Sequence, residues 1–280
     1  MGGFFYFCNI MKELLVRTIS GAVLVAIIVT CILVSPWSMA GLGLFIVAVG
    51  TFEMSRLQQI VKPSHVMLGE LLAVGAYALA ALVGLDALPK HFAIFELLFC
   101  MLPFLLALFS KENDFKHVAA FCFGSMAYLS LPAALMVFMY RIDFFSSLAG
   151  PKLVLLVFAL IWVNDTFAYL TGRLLGKHKL FERISPGKTI EGSIGGLVFT
   201  LAGIIVFSQY VDWLSLKVAI GMGLIAVVFG TLGDLCESML KRQAGVKDSG
   251  NLIPGHGGVL DRFDSVLFTI PFIYVFLLLV

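Results

Sequence analysis

Charge is what this chain has least of. Only 13% of its 280 residues are Asp, Glu, Lys or Arg, and 60% are hydrophobic. Soluble domains carry about 25% charged residues and roughly 45–50% apolar ones, so a water-soluble fold is excluded and a polytopic membrane protein is indicated. The formal net charge is +2, too small for a basic surface that gathers nucleic acid. Cysteine is sparse and scattered: Cys8, Cys31, Cys100, Cys122 and Cys236 share no CxxC spacing, which argues against disulfides or zinc. Internal repeats, linkers and low-complexity tracts are missing. So are a P-loop, a dinucleotide fingerprint, a nucleophile elbow and an HExxH pair. The opening MGGFFYFCN has no basic n-region, and Tyr6 stands where a myristoylation signal needs Ser or Thr. Met11 begins MKELLVR, a natural second start, so residues 1–10 carry no functional reading. The first apolar run is too long for a cleaved signal and reads as a membrane anchor.

What is present is a series of apolar runs. A membrane-spanning helix needs about 20 mostly apolar residues. That rule predicts an all-α protein with about nine spans, near 15–34, 38–54, 66–85, 92–109, 118–140, 153–174, 194–210, 216–236 and 265–280. Pro132 falls inside the fifth and predicts a kink there. Nine crossings put fifteen Lys and Arg on one side and four (Lys90, Arg141, Lys152, Lys217) on the other. By the positive-inside rule the N-terminus and the two long charged loops are cytoplasmic and the C-terminus is outside. The expected organisation is residues 1–150 as structural or lipid-facing helices and 151–280 as the catalytic region.

The scarce charges are concentrated. Ser238–Asp264 reads SMLKRQAGVKDSGNLIPGHGGVLDRFD and holds Lys241, Arg242, Lys247, Arg262, Asp248, Asp261, Asp264 and His256. Intramembrane ionisable residues are costly and usually functional. Asp165 lies seven residues before Gly172, ~10 Å below the cytoplasmic end of its helix. Asp234 ends the eighth span, and Asp261 and Asp264 open the ninth from one helical face. Oxygen-only ligands at one depth suit Mg²⁺, with Mn²⁺ as an alternative; salt bridges to Lys241, Arg242 or Arg262 are the competing reading. A second basic loop, GRLLGKHKLFERISPGKTIEGS, has a turn signal at Pro186-Gly187, which would let Ser185, Lys188 and Thr189 project together. It suits either a phosphate or anionic headgroups. Ser238, Lys241 and Arg242 share a helical face, and glycines around His256 permit an anion-binding nest. Glu53 is a weaker candidate for the site.

These residues resemble the signature of the phosphatidate cytidylyltransferase (CDP-diacylglycerol synthase) family. That pattern is Ser-x-x-Lys-Arg, Lys-Asp, His-Gly-Gly and Asp-Arg-x-Asp, here Ser238, Lys241, Arg242, Lys247, Asp248, His256, Gly257, Gly258, Asp261, Arg262 and Asp264. It extends to Asn164-Asp165 and to the loop with Ser185, Lys188, Thr189 and Glu191, so it covers about residues 152–280. The resemblance implies transfer of CMP from CTP to phosphatidate, giving CDP-diacylglycerol and pyrophosphate. It implies a Mg²⁺ site, with a second cation such as K⁺ admitted, on the cytoplasmic side of a homodimer in the cell membrane. Asp234, Asp261 and Asp264 would be metal ligands. Lys241, Arg242, His256, Arg262 and Asp165 would form the catalytic set, with His256 donating to departing pyrophosphate. Ser185, Lys188, Thr189, Glu191, Ser238, Lys247, Asp248, Gly257 and Gly258 would bind substrate. Three other readings stand beside it: a CTP-dependent transferase acting on an isoprenoid or other lipid phosphate, a transporter, which would favour midplane charges and inverted repeats, and a scaffold or insertion factor, for which Asp261→Asn would leave function intact.

Overall fold

Proline and hydroxyl side chains punctuate the apolar runs and set where each helix begins. The computed structural model describes residues 2–60, 62–108, 115–141 and 149–280. Helix α1 (Gly2–Val34) stops before Ser35-Pro36, and α2 (Pro36–Leu57) starts with proline in its first turn. There the missing amide costs nothing. Ser35 Oγ accepts from the Ser38 amide while Ser38 Oγ accepts from the Ser35 amide, both at 3.0 Å, a reciprocal cap of the first turn. Helix α3 (Pro63–Gly84) starts with proline in the same way. Next come α4 (Glu96–Leu108), α5 (Phe115–Ser125), α6 (Leu131–Tyr140), α7 (Ala149–Leu175), α8 (Ile190–Ser208), α9 (Leu216–Gln243) and α10 (Leu260–Leu279). Thr189 caps α8 through the Gly192 amide and Ser215 caps α9 through the Val218 amide.

Among the described residues, eight helical segments are long and apolar enough to cross a bilayer. They bury one face and expose the other: along α1, Leu15, Ile19, Val23 and Ile27 face outward while Ile28 and Ile32 are buried. The chain is an all-α, multi-pass membrane protein. The expected span near 92–109 takes a different form. It begins as a 3₁₀ turn (Lys90–Phe95) and continues as α4, which is only 13 residues long. At 1.5 Å per residue α4 is ~20 Å, shorter than a ~30 Å hydrocarbon core; residues 109–114 lie outside the described ones.

Pro132 shapes its span as expected of a proline within a helix. It cannot donate to the carbonyl of Tyr128, and the chain between α5 and α6 widens into a π turn at Met126–Ser130. The basic loop after α7 folds into a short antiparallel hairpin, β1 (Lys179–Phe181) with β2 (Ser185–Thr189). Its reversal falls at 182–184, so Pro186-Gly187, expected as the turn, lies within β2. A two-stranded ribbon consists only of edges, where proline is tolerated. The Lys179 ammonium donates to the Pro186 carbonyl at 2.7 Å.

Close helix contacts depend on small residues, as is usual where lipid supplies no hydrophobic drive. A Cβ on Gly196 of α8 would stand 2.5 Å from Asn164 Oδ1 on α7. One on Gly233 of α9 would stand 2.6 Å from the Phe268 Cβ and 2.9 Å from the Asp264 carbonyl on α10. Gly233→Ala therefore has to push α9 and α10 apart. Overpacking of this kind costs about 1–3 kcal/mol, and a lowered thermal midpoint in detergent is the expected result.

Candidate active site

The packing of α7–α10 leaves a polar cavity of about 540 Å³ at the hairpin end of these helices. Asp165 reaches it from α7. Ser185, Lys188 and Thr189 come from β2, and Asp234 and Lys241 from α9. Asp248 comes from the loop, and Asp261, Arg262 and Asp264 from the first turns of α10. Three separate stretches of sequence thus supply ten of the expected site residues to one space.

Asp234 and Asp264 line the cavity, and with Glu237, buried behind its wall, they place carboxylate oxygens within 4.8 Å of one another. The close α9–α10 contact at Gly233 brings them together. Asp264 is 8% exposed and Glu237 only 1%. Two cations reach the cluster. The Lys188 ammonium lies 2.5 Å from Asp234, and that of Lys241 touches Glu237 and donates to Asp261 Oδ1 at 2.6 Å. Ser238 donates to Asp234 at 3.1 Å. Glu237 Oε1 has no hydrogen-bond partner among the described residues, and the Asp264 carboxylate accepts only from the Ser265 amide, at 2.7 Å. Packed anionic oxygens short of donors are what a hard divalent cation satisfies. The donor set therefore fits Mg²⁺ or Mn²⁺.

Asp261 lines the cavity but differs from the other expected ligands. Its Oδ2 accepts from the amides of Ser249 and Gly258 at 2.8 Å and from the Ser249 hydroxyl at 2.9 Å. With Lys241 on Oδ1, both oxygens are engaged, and it stands outside the three-carboxylate cluster. Glu237 takes the third place there. The sequence carried a signal for it, since Glu237 follows Asp234 by three residues and precedes Lys241 by four, all on one helical face.

Several expected residues sit behind the cavity wall. The His256 ring approaches α1, its Nδ1 being 2.9 Å from Ser20 Oγ, while its carbonyl accepts from Arg262 Nε at 2.8 Å. Arg242 Nε donates to the Ile184 carbonyl at 3.2 Å, tethering the hairpin. Glu191 accepts from the Lys177 amide at 3.1 Å and pairs with His178 at 2.6 Å, closing the base of the same hairpin. Gly257, at φ +82°, turns the loop so that Gly258 can donate to Asp261. Ser238, Lys247, Gly257 and Gly258 do not line the cavity.

The cytidylyltransferase family model matches residues 15–280. The chain belongs to the cytidylyltransferase family. It is 47% identical over 175 residues to the phosphatidate cytidylyltransferase of Staphylococcus haemolyticus (strain JCSC1435), and 44% identical over 170 residues to that of Staphylococcus aureus (strain COL). In each case the match covers 60% of this chain and 63% of the relative, so the chain spans a little under two thirds of the length of these relatives. Within the cavity, Lys188, Lys241 and Arg262 stand with Asp165, Asp234, Asp248, Asp261 and Asp264.

Proposed function

We propose that the chain is a phosphatidate cytidylyltransferase, transferring CMP from CTP to a lipid phosphate with release of pyrophosphate. The observation that carries this reading is the meeting of Asp234 and Asp264, backed by the buried Glu237, with Lys188, Lys241 and Arg262 at one cavity between membrane helices. An oxygen of the lipid phosphate attacks the α-phosphorus of CTP, and the bond from that phosphorus to the bridging oxygen of pyrophosphate breaks. A phosphate monoester is already ionised at neutral pH, so the site needs no strong general base. Its task is to hold two polyanions in line and neutralise them. Asp234, Glu237 and Asp264 would hold the divalent cation, which when bound supplies charge neutralisation at the reacting phosphates. Lys188, carried on the hairpin, and Arg262, on the first turn of α10, bind phosphate oxygens from two sides of the cavity. Lys241 keeps Asp261 and Glu237 oriented, and Ser185 and Asp165 complete the wall. Beyond the polar cavity, α7 and α8 also line an apolar cavity of about 550 Å³ with Leu155, Leu156, Val163, Gly203 and Phe207. This supports a lipid whose acyl chains stay among the helices while its headgroup reaches the cations.

The same reading places the cavity on the cytoplasmic side of the cell membrane, supported by the fifteen-to-four distribution of Lys and Arg that results when the Lys90–Phe95 turn and α4 together make one crossing, and takes the working unit to be a homodimer. Purified protein given labelled CTP and phosphatidate should form CDP-diacylglycerol only with Mg²⁺ or Mn²⁺ present. A parallel arm with a polyprenyl phosphate decides the lipid class. Absence of product from both lipids would refute the proposal, and turnover of the polyprenyl phosphate alone would move it to the isoprenoid branch.

A further inference from the structure

One buried carboxylate outside the cavity is bound to the loop that builds it. Glu53, near the end of α2, is 3% exposed. Its Oε1 accepts from the Val259 amide at 3.0 Å, and its Oε2 from the Leu260 amide at 2.8 Å and the Ser249 hydroxyl at 3.0 Å. All three donors belong to the signature loop or the first turn of α10, more than 190 residues away in sequence. The loop is shaped around this side chain. A Cβ on Gly250 or on Gly258 would stand 2.4 Å from Glu53 Oε1, so both glycines leave room for the carboxylate. The positive end of the α10 dipole offsets its charge.

Glu53 and Asp261 also share a partner. The Ser249 hydroxyl lies 3.0 Å from Glu53 and 2.9 Å from Asp261, with one proton between two carboxylates. From there Asp261 leads to Lys241, and Lys241 to Glu237 in the cluster. Asp264 stands one turn beyond Leu260, whose amide Glu53 holds. Both the depth of Asp264 and the orientation of the Asp261–Lys241 pair therefore depend on where Glu53 fixes the start of α10.

We infer that Glu53 is a positioning residue of the active site, a clamp from α2 that sets α10 so that Asp264 meets Asp234 and Glu237 at the spacing a divalent cation needs. The inference rests on the proposed metal site, and it gives the N-terminal half of the chain a part in assembling the cavity. In Glu53→Gln an NH₂ group must face an amide or hydroxyl donor, so at least one of the three bonds is lost at nearly unchanged volume.

The test is Mn²⁺ titration of the purified full chain without substrate, read from the free-ion EPR signal, beside thermal unfolding and CTP turnover. Glu53→Gln should weaken Mn²⁺ binding at least fivefold and lower kcat at least tenfold, with the unfolding midpoint within a few degrees of wild type. Glu53→Asp keeps the charge but is one methylene shorter, and should fall between. Gly250→Ala crowds the same carboxylate from the loop side. It should weaken Mn²⁺ binding in the wild-type background and add little to Glu53→Ala, which separates clamping from a general loss of fold. Unchanged Mn²⁺ affinity in Glu53→Gln overturns the inference, as does a loss matching only the unfolded fraction, or a wild type that holds no Mn²⁺. Weakened Mn²⁺ binding in a protein whose wild type turns over neither lipid phosphate would leave the clamp standing and remove the proposed activity.

Discussion

Asp264→Asn should lower turnover on the order of 10³-fold, the upper range for removing one group that stabilises transition-state charge, while the protein stays folded. Asparagine keeps the shape of the side chain and its bond from the Ser265 amide, but presents an uncharged group to the cation. Metal-free wild type keeps Asp264 next to Asp234 and Glu237 with one amide to satisfy it. Removing that charge relieves a repulsion, so the metal-free unfolding midpoint should stay the same or rise by a few degrees. Mn²⁺, which raises the wild-type midpoint by binding only the folded state, should stabilise the variant far less. Asp248→Asn is the companion variant, because Asp248 lines the same cavity outside the cluster. Its turnover should fall by about one order of magnitude or less. Steady-state assays with and without Mn²⁺, beside unfolding curves, give all four comparisons. Asp264→Asn retaining a tenth of wild-type turnover would remove the cluster from the chemistry.

Helix positions were readable because a bilayer imposes one strong length rule and the chain follows it. The caps at Ser35, Thr189 and Ser215 fix starts that the length rule alone placed within a few residues. The stretch near 92–109 was harder. Hydropathy counts apolar residues but does not register a change from 3₁₀ to α geometry at Glu96. The hairpin was hidden for a related reason. Pro186-Gly187 is the strongest local turn signal, yet the pairing of Lys179 with Thr189 and of Phe181 with Ser185 moved the reversal to 182–184.

In the site, charge scarcity did most of the work. A side chain that is costly to bury needs a reason to be there, and Asp165, Lys188, Asp234, Lys241, Asp261 and Arg262 line one cavity. What sequence could not supply was which atoms each group uses. Asp261 and Asp264 looked equivalent, three residues apart on one face. The loop's amides, the Ser249 hydroxyl and the Lys241 ammonium distinguish them, by occupying Asp261 and leaving Asp264 short of donors. His256 and Glu191 were expected at substrate because of their neighbours in sequence; the fold turns one toward Ser20 of α1 and the other toward His178. Glu53 shows the same limit. Its three donors lie across the chain, at a distance no local pattern reports.

Lys241→Met should be the most destabilising change in the cavity. The lysine is buried against Glu237, 1% exposed, and Asp261, 3% exposed at its side chain, and no other cation pairs with either carboxylate among the described residues. Removing one partner of a buried pair costs about 3–5 kcal/mol, because the remaining charge is left uncompensated. Glu237 is left with no donor while Asp261 keeps only its bonds on Oδ2, so the expected cost lies at the upper end, with turnover lost as well. Methionine fills nearly the same volume, so the loss is attributable to charge. A second substitution separates the two effects. Adding Glu237→Gln removes one stranded charge and should recover part of the unfolding midpoint without recovering turnover, since the cluster then lacks one of its oxygens. Lys188→Met is the control: Lys188 pairs with Asp234 at the cavity's rim, where both side chains are partly exposed. Its cost in stability should stay near 1 kcal/mol or below, the range of solvent-exposed pairs, although turnover falls. Equal destabilisation by the two lysine variants would mean that the cavity is wetter than its burial indicates, and that Lys241 neutralises substrate phosphates as Lys188 does rather than holding the carboxylates in place.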